Sequence, residues 1–155
     1  MTDDARHSAG SPDAPLHLPL RGASFAQAFS RFWRKYATFS GRASRSEFWW
    51  WYLANVIVTT VLGLATGAGG FAGATYDAAT RTSQPGPLIG VGAILLTIWG
   101  IATLVPWLAL SWRRLHDANL PGALWFVGLV PVLGGLALIV LFVLASNPAG
   151  ARYDA

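Results

Sequence analysis

Three stretches of this sequence, Phe48 to Gly67, Leu88 to Leu110 and Leu124 to Ala145, carry no charged side chain. A helix rises 1.5 Å per residue, so about 20 residues cover the roughly 30 Å hydrocarbon layer of a bilayer. Helix is also a form whose backbone groups satisfy one another where there is no water. Each stretch is long enough to span. Composition agrees, because the 155 residues are 54% hydrophobic and only 12% charged, against about a quarter charged in ordinary soluble domains. A small soluble domain needs polar groups to cover its large relative surface, and lipid removes that need. The expectation is an all-α integral membrane protein with three transmembrane helices, over 48–67, 88–110 and 124–145. Pro106, Pro131, Gly134 and Gly135 are breaks that leave a re-entrant path open for one of them.

Residues 1–22 mix Pro, Ser, Asp, His and Gly with no hydrophobic period and read as a disordered tail. The membrane domain is expected over 23–154. The tail lacks the basic, apolar and small-residue succession of a cleaved signal peptide. Over 24–39, Phe25, Phe29, Phe32 and Tyr36 recur at helical spacing in one stripe. Arg31, Arg34 and Lys35 fall on the opposite half. An aromatic face and a cationic face on one helix are the pattern of an amphipathic helix lying in a membrane interface.

With three spans, the N-terminal region shares a side with the connection 111–123, and the connection 68–87 shares the other with the C-terminus. Arg31, Arg34, Lys35, Arg42, Arg45, Arg113 and Arg114 lie on the first side, against Arg81 and Arg152 on the second. The positive-inside rule puts the first side, and with it the N-terminus, in the cytoplasm. Trp49, Trp50, Trp51, Trp107, Trp112 and Trp125 cluster at the same ends, as an aromatic belt would. The basic residues therefore sit where anionic phospholipid headgroups are, which explains the net charge of +4 without nucleic acid.

Ser44 and Glu47 have the spacing of a capping box at the start of the first span. Glu47 is alternatively the counter-ion of a buried arginine, or a proton carrier. Arg42 and Arg45 have the geometry for phosphate, or serve topology alone. Arg113 and Asp117 are four apart and can pair on a helix. His116 beside Asp117 invites a base or metal reading, but neighbours on a helix point about 100° apart, and structural hydrogen bonding is the simpler role. The three-span topology brings Arg42, Arg45, Glu47, Arg113, Arg114, His116 and Asp117 to one face, with Glu47 expected to meet Arg113 or Arg114. Gly63, Gly67, Gly90, Gly128, Gly134 and Gly135 permit close helix approach, within the chain or in a homo-oligomer. There is no cysteine, no metal-site spacing and no catalytic fingerprint, so no cofactor or metal is expected.

Two segments carry a resemblance: Phe39-Ser-Gly-Arg-Ala-Ser-Arg-Ser-Glu-Phe-Trp49 and Arg113-Arg-Leu-His-Asp117. Together they resemble the domain of unknown function 805 family of small bacterial inner membrane proteins, over roughly residues 25 to 154. The family's motif positions fall on Phe39, Gly41, Arg42, Arg45, Glu47, Phe48, Trp49, Pro106, Arg113, Arg114, Leu115, His116, Asp117, Gly122 and Pro131. Leu120-Pro121-Gly122-Ala123 and the tail Gly150 to Asp154 depart from its pattern. The resemblance implies a multi-pass location in the bacterial plasma membrane and no reaction. The functional expectation is a non-enzymatic structural or interaction protein, whose cationic cytosolic face binds anionic lipid or a membrane protein partner. The alternatives are a subunit of an oligomeric channel or small-solute transporter, and a lipid-modifying enzyme using His116, Asp117 and Glu47.

Overall fold

The computed structural model describes residues 14–154. Among the described residues four α-helices follow one another: α1 (Phe25–Arg34), α2 (Arg45–Ala72), α3 (Leu88–Asp117) and α4 (Leu133–Val143). A hairpin of β1 (Thr75–Asp77) and β2 (Thr82–Gln84) lies between α2 and α3. Two 3₁₀ segments, Gly122–Leu129 and Pro148–Tyr153, flank α4. The described residues form two compact units, Leu53–Leu104 and the pair of segments 14–52 and 105–154.

The first unit holds most of the apolar length of α2 and α3, the two helices long and apolar enough to cross a membrane. Their 28 and 30 residues rise about 42 and 45 Å. Leu64 and Phe71 are 70% and 86% exposed, and Ile101 is 68% exposed. So much bare apolar surface is a liability in water and ordinary in lipid. The two helices close on each other through small residues: a Cβ on Gly69 would fall 2.8 Å from that of Leu88. Asn55, one of the few polar groups in the apolar stretches, accepts from Trp99 Nε1 at 2.9 Å, which satisfies both groups without water. Thr75 pairs with Gln84 and Asp77 with Thr82 across the antiparallel hairpin.

In the second unit, α1 opens on a reciprocal capping box. Ser24 Oγ accepts from the Gln27 amide and Gln27 Oε1 accepts from the Ser24 amide. The helix ends at Arg34, short of the expected 39. Phe32 stacks on Trp51 with ring centroids 3.3 Å apart and planes within 11°, which seats α1 against the first turns of α2. Phe25, Phe29 and Tyr36 stay exposed, whereas Arg31 and Lys35 are buried. The cationic face read from the sequence as the wet one thus turns largely into the protein, and only Arg34 remains outside.

The tail expected over 1–22 falls outside the described residues as far as residue 13; from Ala14 on it is packed. Ala14, Pro19 and Leu20 are buried, and Leu18 donates its amide to Pro15 O in a turn.

The third expected span differs most. Residues 122–145 form no single helix: the 3₁₀ segment Gly122–Leu129 packs directly on α4, whose 11 residues rise only about 16 Å. Between them Val132 sits at φ 64°, ψ −54°, and Leu133 N donates to Pro131 O at 2.7 Å, a γ-turn of the strained, positive-φ kind. Pro131 supplies no amide to continue a helix. Gly134 lies so close to the Val127 carbonyl and Gly128 backbone that a side chain there would collide with both. Of the glycines singled out for close approach, Gly128 and Gly134 serve it, while Gly63, Gly67, Gly90 and Gly135 face open space. The stretch doubles back, and the chain after it returns to where the segment 41–44 lies: Gly41 N donates to Tyr153 O at 2.7 Å. The separation of the C-terminal tail from that segment, expected from an odd number of crossings, is therefore replaced by direct contact.

Candidate functional site

The site assembles around Glu47, at the start of α2. Its Oε2 accepts from the Ser44 amide at 2.8 Å while Ser44 Oγ accepts from the Glu47 amide at 3.2 Å. The capping box is present as spaced in the sequence. The same carboxylate is also the counter-ion of a buried arginine, because Oε1 takes Arg31 Nε at 2.5 Å. That arginine comes from α1, not from Arg113 or Arg114 as expected. Oε2 further accepts the Leu20 amide at 3.1 Å. The far end of Arg31 donates to Ala14 O at 2.9 Å and to Leu18 O. One ion pair thus fastens the segment 14–20, α1 and α2 together, at 8% and 3% side-chain exposure.

A second pair closes the C-terminal segment onto the link between α1 and α2. Arg42 Nε and Nη2 reach Asp154 at 2.9 and 2.6 Å, a two-pronged geometry that suits guanidinium and carboxylate. Gly41, at φ 79°, turns the chain so that its carbonyl meets His116 Nδ1 at 3.1 Å. A carbonyl only accepts, so Nδ1 carries the proton. The His116 ring stacks on Tyr153, centroids 3.9 Å apart and planes within 3°.

The third pair, Arg114 Nη1 to Asp117 Oδ2 at 2.9 Å, lies within α3 and is fully buried. Arg114 Nε also donates to Phe142 O at 2.9 Å and Nη2 to Leu144 O, which ties down the carbonyl end of α4 as a cation at a helix C-terminus does. Ser146 Oγ donates to Asp117 Oδ2 at 2.5 Å. The spacing of Arg113 and Asp117 is not used; Arg113 donates Nε to Ala109 O at 3.1 Å.

Two buried cations remain without a carboxylate of their own. Arg113 Nη2 and Lys35 Nζ have no hydrogen-bond acceptor among the described residues. Burial pushes the Lys35 ammonium down to about 7, the Arg113 charge adds to the fall and Glu47 opposes it.

All seven residues expected at one face do converge in one unit. Arg42, Glu47, Arg113, Arg114, His116 and Asp117 are buried, and all but Arg113, whose side-chain bond stays within α3, hold segments together; Arg45 alone is exposed. Helical spacing alone assigns Arg31 and Lys35 to a solvated face, and nothing in it points to Ser146, Tyr153 or Asp154. A rare acid within the short polar tail was the available signal for Asp154. Outside this buried cluster, Arg21, Arg34 and Arg45 present their charges on the surface.

The family model described as "Protein of unknown function (DUF805)" matches residues 36–155. Inner membrane protein YhaH of Escherichia coli (strain K12) is 35% identical over 120 residues, 77% of this chain and 87% of that protein. Inner membrane protein YhaI of the same strain is 31% identical over 121 residues, 77% of this chain and 86% of its own. No solved structure matches.

Proposed function

Because this chain belongs to the DUF805 family, whose cited relatives are inner membrane proteins, we propose that it is a non-enzymatic interaction protein whose charged end rests on anionic phospholipid headgroups at the cytoplasmic face. The observation that carries this is the sorting of charge at that end. The buried cations lock the fold, while Arg21, Arg34 and Arg45 stand outside in the same unit as the exposed rings of Phe25, Phe29, Tyr36 and Trp50. Exposed aromatic rings and exposed cations in one unit, continuous with helices of membrane-crossing length, match the headgroup layer of an anionic leaflet. Each such cation near the surface is worth about 1 kcal/mol.

Tryptophan quenching of the reconstituted full chain tests this, using lipids that carry a quencher at headgroup depth. Quencher-labelled phosphatidylglycerol should quench more than labelled phosphatidylcholine at low salt, and the difference should close as salt rises. Equal quenching by the two lipids at every salt concentration would overturn the reading.

A further inference from the structure

A cavity of about 390 Å³ opens between the segment before α1, the N-terminus of α2 and the chain just after α4. Arg21, Gly22, Arg45, Ser46, Ala145 and Ser146 line it. That volume falls in the ordinary range for small-ligand sites, about 300–1,000 Å³. Two guanidinium groups face this space and neither makes a hydrogen bond or ion pair among the described residues. Among the described residues no acid pairs with them, although Arg21 feels the charge of Asp117. Glu47 is committed to Arg31 and the Asp117 Oδ2 to Arg114 and Ser146. The hydroxyls of Ser46 and Ser146 are already oriented by protein partners, which leaves the two guanidinium groups as the donors without a partner among the described residues.

We propose that this cavity binds a phosphate oxyanion between Arg21 and Arg45, and that a phospholipid headgroup supplies it. Guanidinium is planar, permanently charged and matched to phosphate oxygens in pairs. The depth of the cavity selects the source. It lies where the uncharged run of α2 begins at Phe48 and just after α4 ends at Val143, the level at which a bilayer changes from chains to phosphates. This rests on the proposed contact with anionic lipid and gives it one address.

The test uses the full chain in mild detergent, titrated separately with short-chain phosphatidylglycerol, short-chain phosphatidylcholine and sodium phosphate, with bound ligand counted by native mass spectrometry. Phosphatidylglycerol should bind most tightly, and R21Q together with R45Q should weaken it at least tenfold, as loss of a charge-assisted hydrogen bond does. R34Q, which removes an exposed charge of the broader lipid contact that does not line the cavity, should weaken binding by about fivefold at most, the equivalent of about 1 kcal/mol. Arg21 and Arg45 are exposed and make no hydrogen bond or ion pair among the described residues, so lipid-free melting of the double variant should match the parent; a variant that melts early is replaced by R21K with R45K, which should keep the charge and lose at least threefold in affinity. Phosphatidylglycerol binding undiminished in the double variant but weakened in R34Q overturns the cavity and leaves the broader lipid contact standing. No preference for phosphatidylglycerol over phosphatidylcholine in the parent overturns both. Retention of inorganic phosphate alone, lost in the double variant, keeps the oxyanion site and overturns the lipid as its source.

Discussion

Arg31 Nε and Glu47 Oε1 meet at 2.5 Å across sixteen positions of sequence, and through them α1 is bonded to the first turn of α2. Breaking a buried pair from one side strands a charge, at about 3–5 kcal/mol. Glu47→Gln should therefore destabilise the protein by that order in a reversible unfolding titration. The double change with Arg31→Gln should cost less than the sum of the singles. Combination with Arg114→Gln should be additive within about 0.5 kcal/mol, since Arg114 answers to Asp117. Strong coupling of Glu47 to Arg114 instead would contradict this assignment.

Lys35 should make stability depend on pH in a defined window. Its ammonium ionises at about 7 when folded against 10.5 as a free group, so between those values the unfolded chain holds more protons than the folded one. Stability should rise as pH climbs from about 7 to 10.5 and level off beyond, where both states are neutral. Lys35→Met should flatten that slope and raise the melting temperature at pH 7. Among the groups acting on Lys35, Arg113 is itself lowered by burial to about 10 and titrates only at the top of that window. An unchanged slope in the methionine variant would show that another group controls it.

The doubled-back apolar stretch predicts sidedness. The chain has no cysteine, so single cysteines at Thr38 and Ala151, both exposed, can be labelled cleanly with a membrane-impermeant maleimide. The two positions should react from the same side of sealed vesicles. Labelling from opposite sides would restore a third crossing.

Val132 is the strained hinge of that stretch. A β-branched residue at positive φ costs on the order of 1–3 kcal/mol, and Val132 is 87% exposed, so its side chain returns little packing. Val132→Gly should raise stability by about 1 kcal/mol after glycine's extra chain entropy is deducted. Loss of stability would mean that the valine packs on something the isolated chain lacks.

Much of this architecture is written in short-range pattern. The uncharged runs announce α2 and α3, and Ser44 with Glu47 announces where α2 begins, because capping chemistry is local. Partner choice is less legible. Arg31 sits at helical spacing from Arg34 and Lys35, and periodicity alone assigns all three to water; only the arrival of Glu47, sixteen residues on, turns Arg31 inward. The last apolar stretch has the length of a span, and hydropathy does not reveal that Gly134 lets the backbone close on Val127. Pro131 and the glycine pair mark a break without saying in which direction the chain leaves it. Asp154 is invisible for a different reason: its partner Arg42 is 112 positions away.

That separation has a consequence for biogenesis. Residue 42 leaves the ribosome long before residue 154 is made, so during synthesis of every apolar segment the Arg42 guanidinium must be sheltered by water, lipid phosphate or a chaperone. Only when Tyr153 slides over His116 is the clasp shut, which makes its closure a natural checkpoint between an inserted polypeptide and a finished one.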